Sequence, residues 1–497
     1  MSTPYIIARG DHPASVDILV VGGGLAGLYL AHRIAATYPV AVLVIEAGPD
    51  AGPDHLRWEN DQKKANQLWL EPESDPFFSQ PYHAAGTGFD GISGLRRRLG
   101  GRALYWGGVT LPVEPWALEP ASWPPEVIAE LTDAWQGGPS LYDRVIADLE
   151  KWMGGPLTSE REFQLGDRRF TEVPRAVLAA ENSPRWRAWS PLELRPGEQQ
   201  PGTVSVLCDH QVVAVTSGPD GAVSGVVAEN DGRRTVIEAR RVVLAAGTIE
   251  NSRLVLQAVT PADAQPAVLP GLVDKLAQGF VTAFDPAAVP DAIRELADTG
   301  GLFRAAAPPK SRSNLMLSAH RNGHGLVVVD CYLMGEQTRD PGGQVRCEPG
   351  PELPWRTSVA GRLGDADREV IAAQRQELRR MYRLLDEQTG LTGRPLAFEE
   401  FGATDLADWV AAGDAMDTPG RPVTYSFPLG SEQHEAGTLP LGGALVDENA
   451  QVRAVRGLYV CGPATFPRTG AANPALTILA LAARLAGEFA EFTEVSR

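Results

Sequence analysis

Residues 17–48, DILVVGGGLAGLYLAHRIAATYPVAVLVIEAG, constrain the fold more than any other stretch of the chain. Residues 17–21 form a short apolar run of the kind buried in a parallel sheet. It leads directly into Gly22-Gly23-Gly24-Leu25-Ala26-Gly27, which satisfies G-x-G-x-x-G at Gly22, Gly24 and Gly27. In that pattern Gly22 permits a tight turn, Gly24 lets the backbone approach a pyrophosphate, and Gly27 lets a helix pack close to the strand. The helix, expected over about 25–36, aims its positive N-terminal end at the phosphates. AVLVIEAG (41–48) is the second strand, and Glu46 closes it where a carboxylate accepts a hydrogen bond from a ribose 2′-hydroxyl. Strand, helix and acid in register predict a dinucleotide-binding βαβ unit; the plainer alternative is a glycine-rich turn with no ligand. The motif alone does not separate FAD from NAD.

The far end of the chain carries a second set of signals. A lone histidine, His434, sits in the Gly/Thr-rich stretch SEQHEAGTLPLGG (431–443). Asn473 follows in LYVCGPATFPRTGAANPALTILALAARLAG (458–487), in an Ala-Asn-Pro step that opens an apolar helix. Pro474 there occupies a favoured first helical position. Two chain ends that both resemble parts of one cofactor site must fold together around it, and the reading that follows is a flavoenzyme.

Bulk properties bound the function classes. With 497 residues the chain is long enough for two to four domain-sized units. Forty-five basic and 62 acidic residues give a net charge of −17, which argues against nucleic-acid or anionic-membrane partners. An acidic surface could favour cationic substrates such as amino sugars, but it is more often a solubility device. The four cysteines, Cys208, Cys331, Cys347 and Cys461, have neither CxxC nor metal-ligand spacing, which suits a reducing compartment and predicts no metal site. Neither a signal-peptide pattern at the N-terminus nor ~20 consecutive apolar residues anywhere is found, so a cytoplasmic location is expected.

Between the two ends the chain is uneven. GTGFDGISGLRRRLGGRALYWGGVT (86–110) is too glycine-rich for a regular element and suits backbone N–H groups facing a ligand. Its Arg96, Arg97 and Arg98 either reach a pyrophosphate or form a solvated charge run. Five prolines in 111–125 indicate an irregular crossing, and 141–153 reads as an amphipathic helix. Residues 185–203 are turn-rich. VSVLCD (204–209), VVAVTS (212–217) and AVSGVVAEN (222–230) read as a three-stranded meander. RRVVLAAG (240–247) then leads into a helix over 248–258, like a second βα junction of the first sheet. Residues 260–310 resist assignment, strands return at 314–320 and 326–335, and a polar-faced helix is expected over about 365–387. The resulting organisation is discontinuous: 1–120, 204–270 and 431–497 build a cofactor domain, and 121–203 and 271–430 build a second domain roofing its reactive face.

The combined motifs resemble those of the glucose-methanol-choline (GMC) oxidoreductase family. The matching residues are VVGGGLAGLYLA…VIEAG (20–48), GGRALYWGG (100–108), VVLAAGTIENSRLVL (242–256), HEAGTLPLG (434–442) and LYVCGPATFPRTGAANPALTILALAARLA (458–486). The resemblance implies an α/β fold: a doubly wound, Rossmann-like FAD-binding domain with a second α+β substrate domain built on an antiparallel sheet. GGRALYWGG is nearest to the branch of pyranose oxidases and bacterial sugar or glycoside oxidoreductases. Some members of that branch tether the flavin through a histidine just before the loop tryptophan; Tyr105 stands there in this chain, so non-covalent FAD is expected. By resemblance, the flavin site takes Leu25, Ala26 and Ala47 beside the glycines and Glu46, and Arg102, Tyr105, Trp106 and Gly107 from the second motif. Val212, Ala246, Gly247, Pro463, Ala464, Asn473 and Pro474 complete that expected set.

Oxidising an alcohol requires removal of the hydroxyl proton and transfer of the carbinol hydrogen as hydride, here to flavin N5. Histidine is the usual proton acceptor near neutral pH. By resemblance His434 is that base and Asn473 its partner, where other members carry a second histidine. An asparagine amide can donate to the substrate oxygen while its carbonyl accepts another bond. Four other residues receive weaker readings. His320 and His324 flank a turn and either line the substrate cavity or, as the expected reading, face solvent; His83 has no assigned role, and Glu336 is a candidate for binding a substrate hydroxyl or ammonium. The expected activity is FAD-dependent oxidation of a polar polyol (sugar, glycoside, aminoglycoside precursor or nucleoside), with oxygen or another acceptor reoxidising the flavin. The alternatives are a steroid- or terpenoid-type alcohol oxidase, a flavin-dependent lyase or isomerase without net redox, and a non-catalytic flavin-binding protein.

Overall fold

The computed structural model describes residues 13–56, 68–69, 71–84, 89, 93–179, 186–194, 200–389 and 395–493. The expectations for residues 1–12, for 86–88 and 90–92 of the glycine-rich segment, and for 195–199 lie outside the described residues.

The first strand, Ser15–Val21, pairs in parallel with Ala41–Ile45 on one side and with Arg233–Leu244 on the other. Val42, Leu43, Val44 and Ile45 are all buried, which explains why this strand reads as a continuous apolar run rather than an alternation. The sheet order is Thr203–Leu207, Ala41–Ile45, Ser15–Val21, Arg233–Leu244, Val223–Asn230, Gln211–Ser217. Arg233–Leu244 serves two purposes along one edge. Its first half pairs antiparallel with Val223–Asn230, and its last residues, 242–244, pair in parallel with Leu458–Val460 from the C-terminal region.

One expectation is corrected here. The run beginning at 204 is not the first strand of a meander: Thr203–Leu207 pairs in parallel with Ala41–Ile45 at the opposite edge of the sheet. The antiparallel meander consists of Gln211–Ser217, Val223–Asn230 and the start of Arg233–Leu244. A strand buried at a sheet edge and a meander strand carry the same local pattern, so spacing alone could not separate them.

Helix Leu25–Thr37 follows the first strand and packs against Ala475–Ala486, whose twelve residues are all buried. Helix Leu141–Met153 joins this core through Tyr142, whose hydroxyl lies 3.0 Å from Thr477 Oγ1. Ser140 Oγ caps that helix by accepting from Asp143 N, and Gly154 ends it in the left-handed region. The segment 121–203 thus contributes a helix to the first core and, through Glu162–Leu165 and Arg168–Glu172, two strands to the second sheet.

The second sheet is antiparallel throughout, in the order Val423–Ser426, Lys275–Phe284, Val327–Glu336, Ser313–Arg321, Phe303–Ala306, Arg168–Glu172, Glu162–Leu165. Two-residue alternation along Val327–Glu336 separates its faces. Val327, Val329, Cys331 and Leu333 enter a core with Leu378, Met381 and Leu385 of helix Asp365–Thr389, while Asp330, Tyr332 and Met334 face a cavity toward the first sheet. The hard-to-assign stretch 260–310 contains Lys275–Phe284, ten buried residues in mid-sheet. A four-stranded sheet links the halves by bringing together Ala267–Pro270, Gln344–Glu348, Arg356–Ala360 and His83–Ala84. The architecture is the expected α/β unit with an antiparallel α+β half over it. Among the described residues no helix is long and apolar enough to cross a membrane.

The glycine at the start of the first helix tests this packing. A Cβ on Gly27 would lie 2.0 Å from Gly22 O and 3.2 Å from Ala245 Cβ, and the clash with the carbonyl is backbone on backbone. Gly27→Ala is expected to cost about 1–3 kcal/mol, as overpacking does. Thermal unfolding of the variant should show a lower midpoint, and an unchanged midpoint would contradict the close approach.

Candidate active site

A cavity of about 740 Å³ opens between the two sheets, within the range of small-molecule and cofactor sites. At one end lie Gly22, Gly24, Leu25, Ala26, Glu46 and Ala47. Gly22 has φ +106° and no room for a side chain, since a Cβ would meet Ala245 O at 2.5 Å. Gly24 precedes helix Leu25–Thr37 without any side-chain cap, and a Cβ placed on it would meet nothing within 4 Å. The helix N-terminus therefore presents bare backbone to the cavity, the arrangement that binds anions.

Glu46 accepts from Gly23 N and from Gly48 N, one on each carboxylate oxygen and both at 2.8 Å. Burial pushes its carboxyl up to about 7, against the pull of those N–H groups. Each oxygen keeps lone-pair capacity for further donors, which the vicinal hydroxyls of a ribose would provide. Of the arginine triplet, Arg96 forms an ion pair with Asp75 (3.0 Å) and Arg98 donates to the carbonyls of Ala51 and Gly52. Both are buried, so the triplet is not a solvated run. Arg97 reaches the cavity wall, with its Nε buried and lacking a hydrogen-bond partner. Bare helix terminus, diol-accepting carboxylate and orphaned cationic donor together fit the adenosine diphosphate portion of FAD.

The other end is built from three sequence motifs tied together by hydrogen bonds. Residues 437–441 run beside 463–465, with Gly437 N, Leu439 N and Leu441 N donating to Pro463 O (3.1 Å), Ala464 O (2.8 Å) and Thr465 O (3.0 Å). Asn251 brackets the junction: its Oδ1 accepts from Ala246 N and its Nδ2 donates to Cys461 O. Thr248 Oγ1 donates to Glu435 O, and Ser252 Oγ lies 2.8 Å from Thr438 Oγ1. Val212, Ala246, Gly247, His434, Pro463, Asn473 and Pro474 consequently share the cavity wall. Tyr105, Trp106 and Gly107 join them, with the Trp106 indole anchored on Trp189 O at 2.7 Å. Gly27 and Ala464 do not line the cavity: the first is a packing residue, and the second is fully buried with its carbonyl engaged by Leu439.

His434 sits half-buried on the wall, and its backbone N–H donates to Asp274 Oδ1 at 2.9 Å. Its Nδ1 is buried without a hydrogen-bond partner. Burial, then the Lys275 ammonium and more weakly the Arg102 guanidinium, push the imidazole down to about 3; the Glu435 carboxylate acts in the opposite direction. Burial and the two cations thus favour the neutral ring, the form that can accept a proton.

Arg102 lines the cavity, but its guanidinium is held by protein groups: Glu435 (2.5 Å), Gln433 O (2.9 Å) and Gly94 O (2.6 Å). Glu435 also accepts from Ser93 Oγ. Burial works to raise this carboxyl, yet Arg102 holds it below the usual range. Glu336 does not face the cavity; it is buried, binds Arg468 and accepts from Gly470 N at 3.1 Å. His320 and His83 are exposed, and neither they nor His324 lies on the wall.

Sequence reasoning missed Asp274, Lys275, Asn251 and Asp330. Asp274 is buried and accepts from Gly430 N (2.7 Å) as well as His434 N. Burial, with Glu435 and Glu432 nearby, pushes it up to about 8. Asp330 lines the cavity from the second sheet, accepts from the Tyr425 hydroxyl at 2.7 Å, and is pushed up to about 7 by burial. A single signal pointed to Asp274: an Asp-Lys pair opening an otherwise apolar run.

Comparisons with known proteins bear on the fold and the family. The sequence profile described as GMC oxidoreductase matches residues 351–482, which include His434 and Asn473, and one described as lycopene cyclase protein matches 17–73, the glycine-loop region. A C-glycoside 3-oxidase from Microbacterium trichothecenolyticum is 23% identical, with 97% of each chain covered. Pyridoxine 4-oxidase from Mesorbium loti superposes with a TM-score of 0.56 at 17% identity, covering 96% of this chain and 99% of that one. Formate oxidase from Aspergillus oryzae RIB40, in a structure concerned with modification of its FAD, gives 0.63 at 15% identity, covering 96% and 98%. These two structural likenesses are of fold.

The Glu46 carboxyl yields a prediction with a sign. Ribose hydroxyls donate best to the ionised form, so FAD binding should favour loss of a proton from a group that titrates near 7. Affinity of the apoprotein for FAD, followed by fluorescence quenching, should rise as pH increases from 6 to 8 and then level. Glu46→Gln should bind more weakly with no such dependence; an unchanged pH slope in that variant would remove Glu46 from the cofactor site.

Proposed function

Because the chain belongs to the GMC oxidoreductase family, whose members use FAD to oxidise CH–OH groups, we propose that it oxidises a hydroxyl of a polar polyol or glycoside, with His434 as base and Asn473 as its partner. One observation carries the reading: His434, with an unsatisfied ring nitrogen, lines together with Asn473 the same cavity as Gly22 and Gly24 of the glycine loop.

FAD, when bound, supplies the hydride acceptor. His434 takes the hydroxyl proton, and the imidazolium that forms is stabilised by the neighbouring Glu435 carboxylate. The Asn473 amide holds the substrate oxygen in line. The N-terminal end of helix Ala475–Ala486 adds positive potential beside Pro474. Gly22, Gly24, Leu25, Ala26, Glu46 and Ala47 hold the dinucleotide end of the cofactor. Tyr105, Trp106, Gly107, Val212, Ala246, Gly247 and Pro463 enclose the remainder. Arg102 acts on this site through Glu435.

The antiparallel sheet reads the substrate. Asp330, Tyr332 and Ser318 offer polar groups to the cavity, and Trp69, Trp409, Tyr425 and Phe427 give flat apolar faces with centroid separations of 4.9–5.7 Å. A few polar groups among aromatic planes suit a ring that carries hydroxyls on an apolar frame. The similarity to a C-glycoside 3-oxidase over nearly the whole chain supports the same class. Non-covalent attachment is supported by Tyr105 at the tethering position and by Cys461, a wall residue whose thiol burial pushes up to about 12. Acid precipitation should therefore release the flavin completely.

Anaerobic mixing with sugars, glycosides, amino sugars, nucleosides and sterols tests the proposal. Bleaching of the flavin band is expected with sugars or glycosides, slowed ~10²-fold or more in His434→Ala with FAD retained. Wild-type kcat/KM should lack an acid limb near pH 6.5, because burial and the Lys275 ammonium push the imidazole down to about 3. Reduction by sterols alone, or an undiminished rate in His434→Ala, would defeat the reading.

A further inference from the structure

The strand Lys275–Phe284 enters the second sheet with two charged residues in succession, both buried: Asp274 and Lys275. Successive residues of an extended chain send their side chains to opposite sides. Here the two sides are the two segments that carry the proposed catalytic pair.

Asp274 holds the His434 segment. Its two carboxyl oxygens accept from Gly430 N (2.7 Å) and His434 N (2.9 Å), spanning the turn that presents the imidazole. The backbone around it adds further ties. Phe427 N donates to Ala277 O (2.9 Å), and Val273 and Ala436 exchange hydrogen bonds of 3.2 and 2.9 Å. The His434 segment is therefore fixed to residues 273–277 on both flanks and at its centre.

Lys275 holds the Asn473 segment. Its ammonium donates to Gly470 O (2.6 Å) and Thr469 O (3.2 Å). Glu336, its cross-strand neighbour, accepts from Gly470 N and pairs with Arg468. Glu114 accepts from Ala471 N at 2.8 Å and from Asn314 Nδ2 at 2.7 Å. Residues 468–471 are thus held by charge-assisted bonds immediately before Asn473, and such bonds are roughly twice as strong as neutral ones.

We propose that Asp274 and Lys275 form a two-ended clasp that sets the spacing between His434 and Asn473, making them positioning residues for alcohol oxidation. The inference rests on the reading of His434 and Asn473 as the catalytic pair. Neither side chain needs to touch substrate or cofactor. One rigid strand end fixes both loops, so a change at either residue moves one catalytic group relative to the other. Placement errors of about 1 Å can cost on the order of 10²-fold in rate while leaving binding nearly intact.

The test is single-turnover flavin reduction by an accepted substrate, on FAD-loaded Asp274→Asn, Lys275→Met, His434→Ala and the Asp274→Asn/His434→Ala double variant. Asp274→Asn preserves shape but cannot accept both N–H groups. Its limiting reduction rate should fall ~10-fold or more with substrate Kd within about threefold, and with flavin content and unfolding midpoint retained. Lys275→Met should move the rate in the same direction; should it fail to fold, Asp274→Asn carries the test. In the His434→Ala background, Asp274→Asn should slow reduction no further, because its effect passes through His434. A wild-type rate in Asp274→Asn, an equal slowing in both backgrounds, or loss of flavin from Asp274→Asn would overturn the clasp. A wild-type rate in His434→Ala would instead defeat the catalytic reading beneath it.

Discussion

Three residues of parallel pairing, Val242–Leu458, Val243–Tyr459 and Leu244–Val460, hold the site together. They bring the C-terminal region back to a sheet begun by Ser15–Val21, and Cys461 N extends the pairing by donating to Leu244 O at 2.8 Å. From that point Gly462 and Pro463 turn across the end of the sheet. Helix Ala475–Ala486 then packs against the helix that follows the glycine loop. Without this return the glycine loop and His434 would share no cavity. Asn251 reinforces the junction from inside by satisfying one backbone donor and one acceptor exposed where strands end, groups that are costly to bury unpaired.

The parts of this arrangement legible in the sequence are those whose cause is local. The glycine loop follows from the space each position allows, and helix Leu141–Met153 from Ser140 at its start and Gly154 at its end. In the second sheet the strands at 314–320 and 326–335 were legible from their apolar runs, but one of its long strands was opaque for a physical reason. Lys275–Phe284 is buried on both faces, so it has no alternation, and its polar residues find partners far away in sequence. Lys275 bonds to Thr469 and Gly470, and Gln278 donates to Ile371 O and Gln374. The arginine triplet stayed ambiguous for the same reason: a run of like charges can be solvated or buried, and Asp75 and the carbonyls of residues 51 and 52 decide it only in the folded chain. Thr203–Leu207 carried no mark of its partner, which lies about 160 positions earlier. The candidate catalytic residues could be named only through motif resemblance, since one histidine in a turn has no local signature.

The acidic composition also changes meaning once folded. Glu46, Asp274, Glu336 and Glu435 are withdrawn from the surface to the cavity or to its supports, and each accepts backbone N–H or cationic donors. Replacing buried ion pairs by apolar residues often leaves stability unchanged or improves it. Their value here is directional: a carboxylate that must accept from Gly430 N and His434 N fixes a loop in a way that a packed leucine cannot. Hydrogen-bonded networks in a low-dielectric interior specify one geometry because every alternative leaves a polar group unsatisfied.

The same charges bear on the role of base proposed for His434. Lys275 lies near enough to depress the imidazole, and Glu435 near enough to oppose it. In the proposed reaction the cation favours the neutral ring, which is the state that can take a proton. Once the proton arrives, the new imidazolium gains its attraction to Glu435, the chain neighbour whose own position is fixed by Arg102 and Ser93. Repulsion from Lys275 then favours passing that proton on instead of retaining it. In the proposed role His434 is held between an anion and a cation, each anchored by a separate part of the chain, so the opposing fields are built into the fold before any substrate enters.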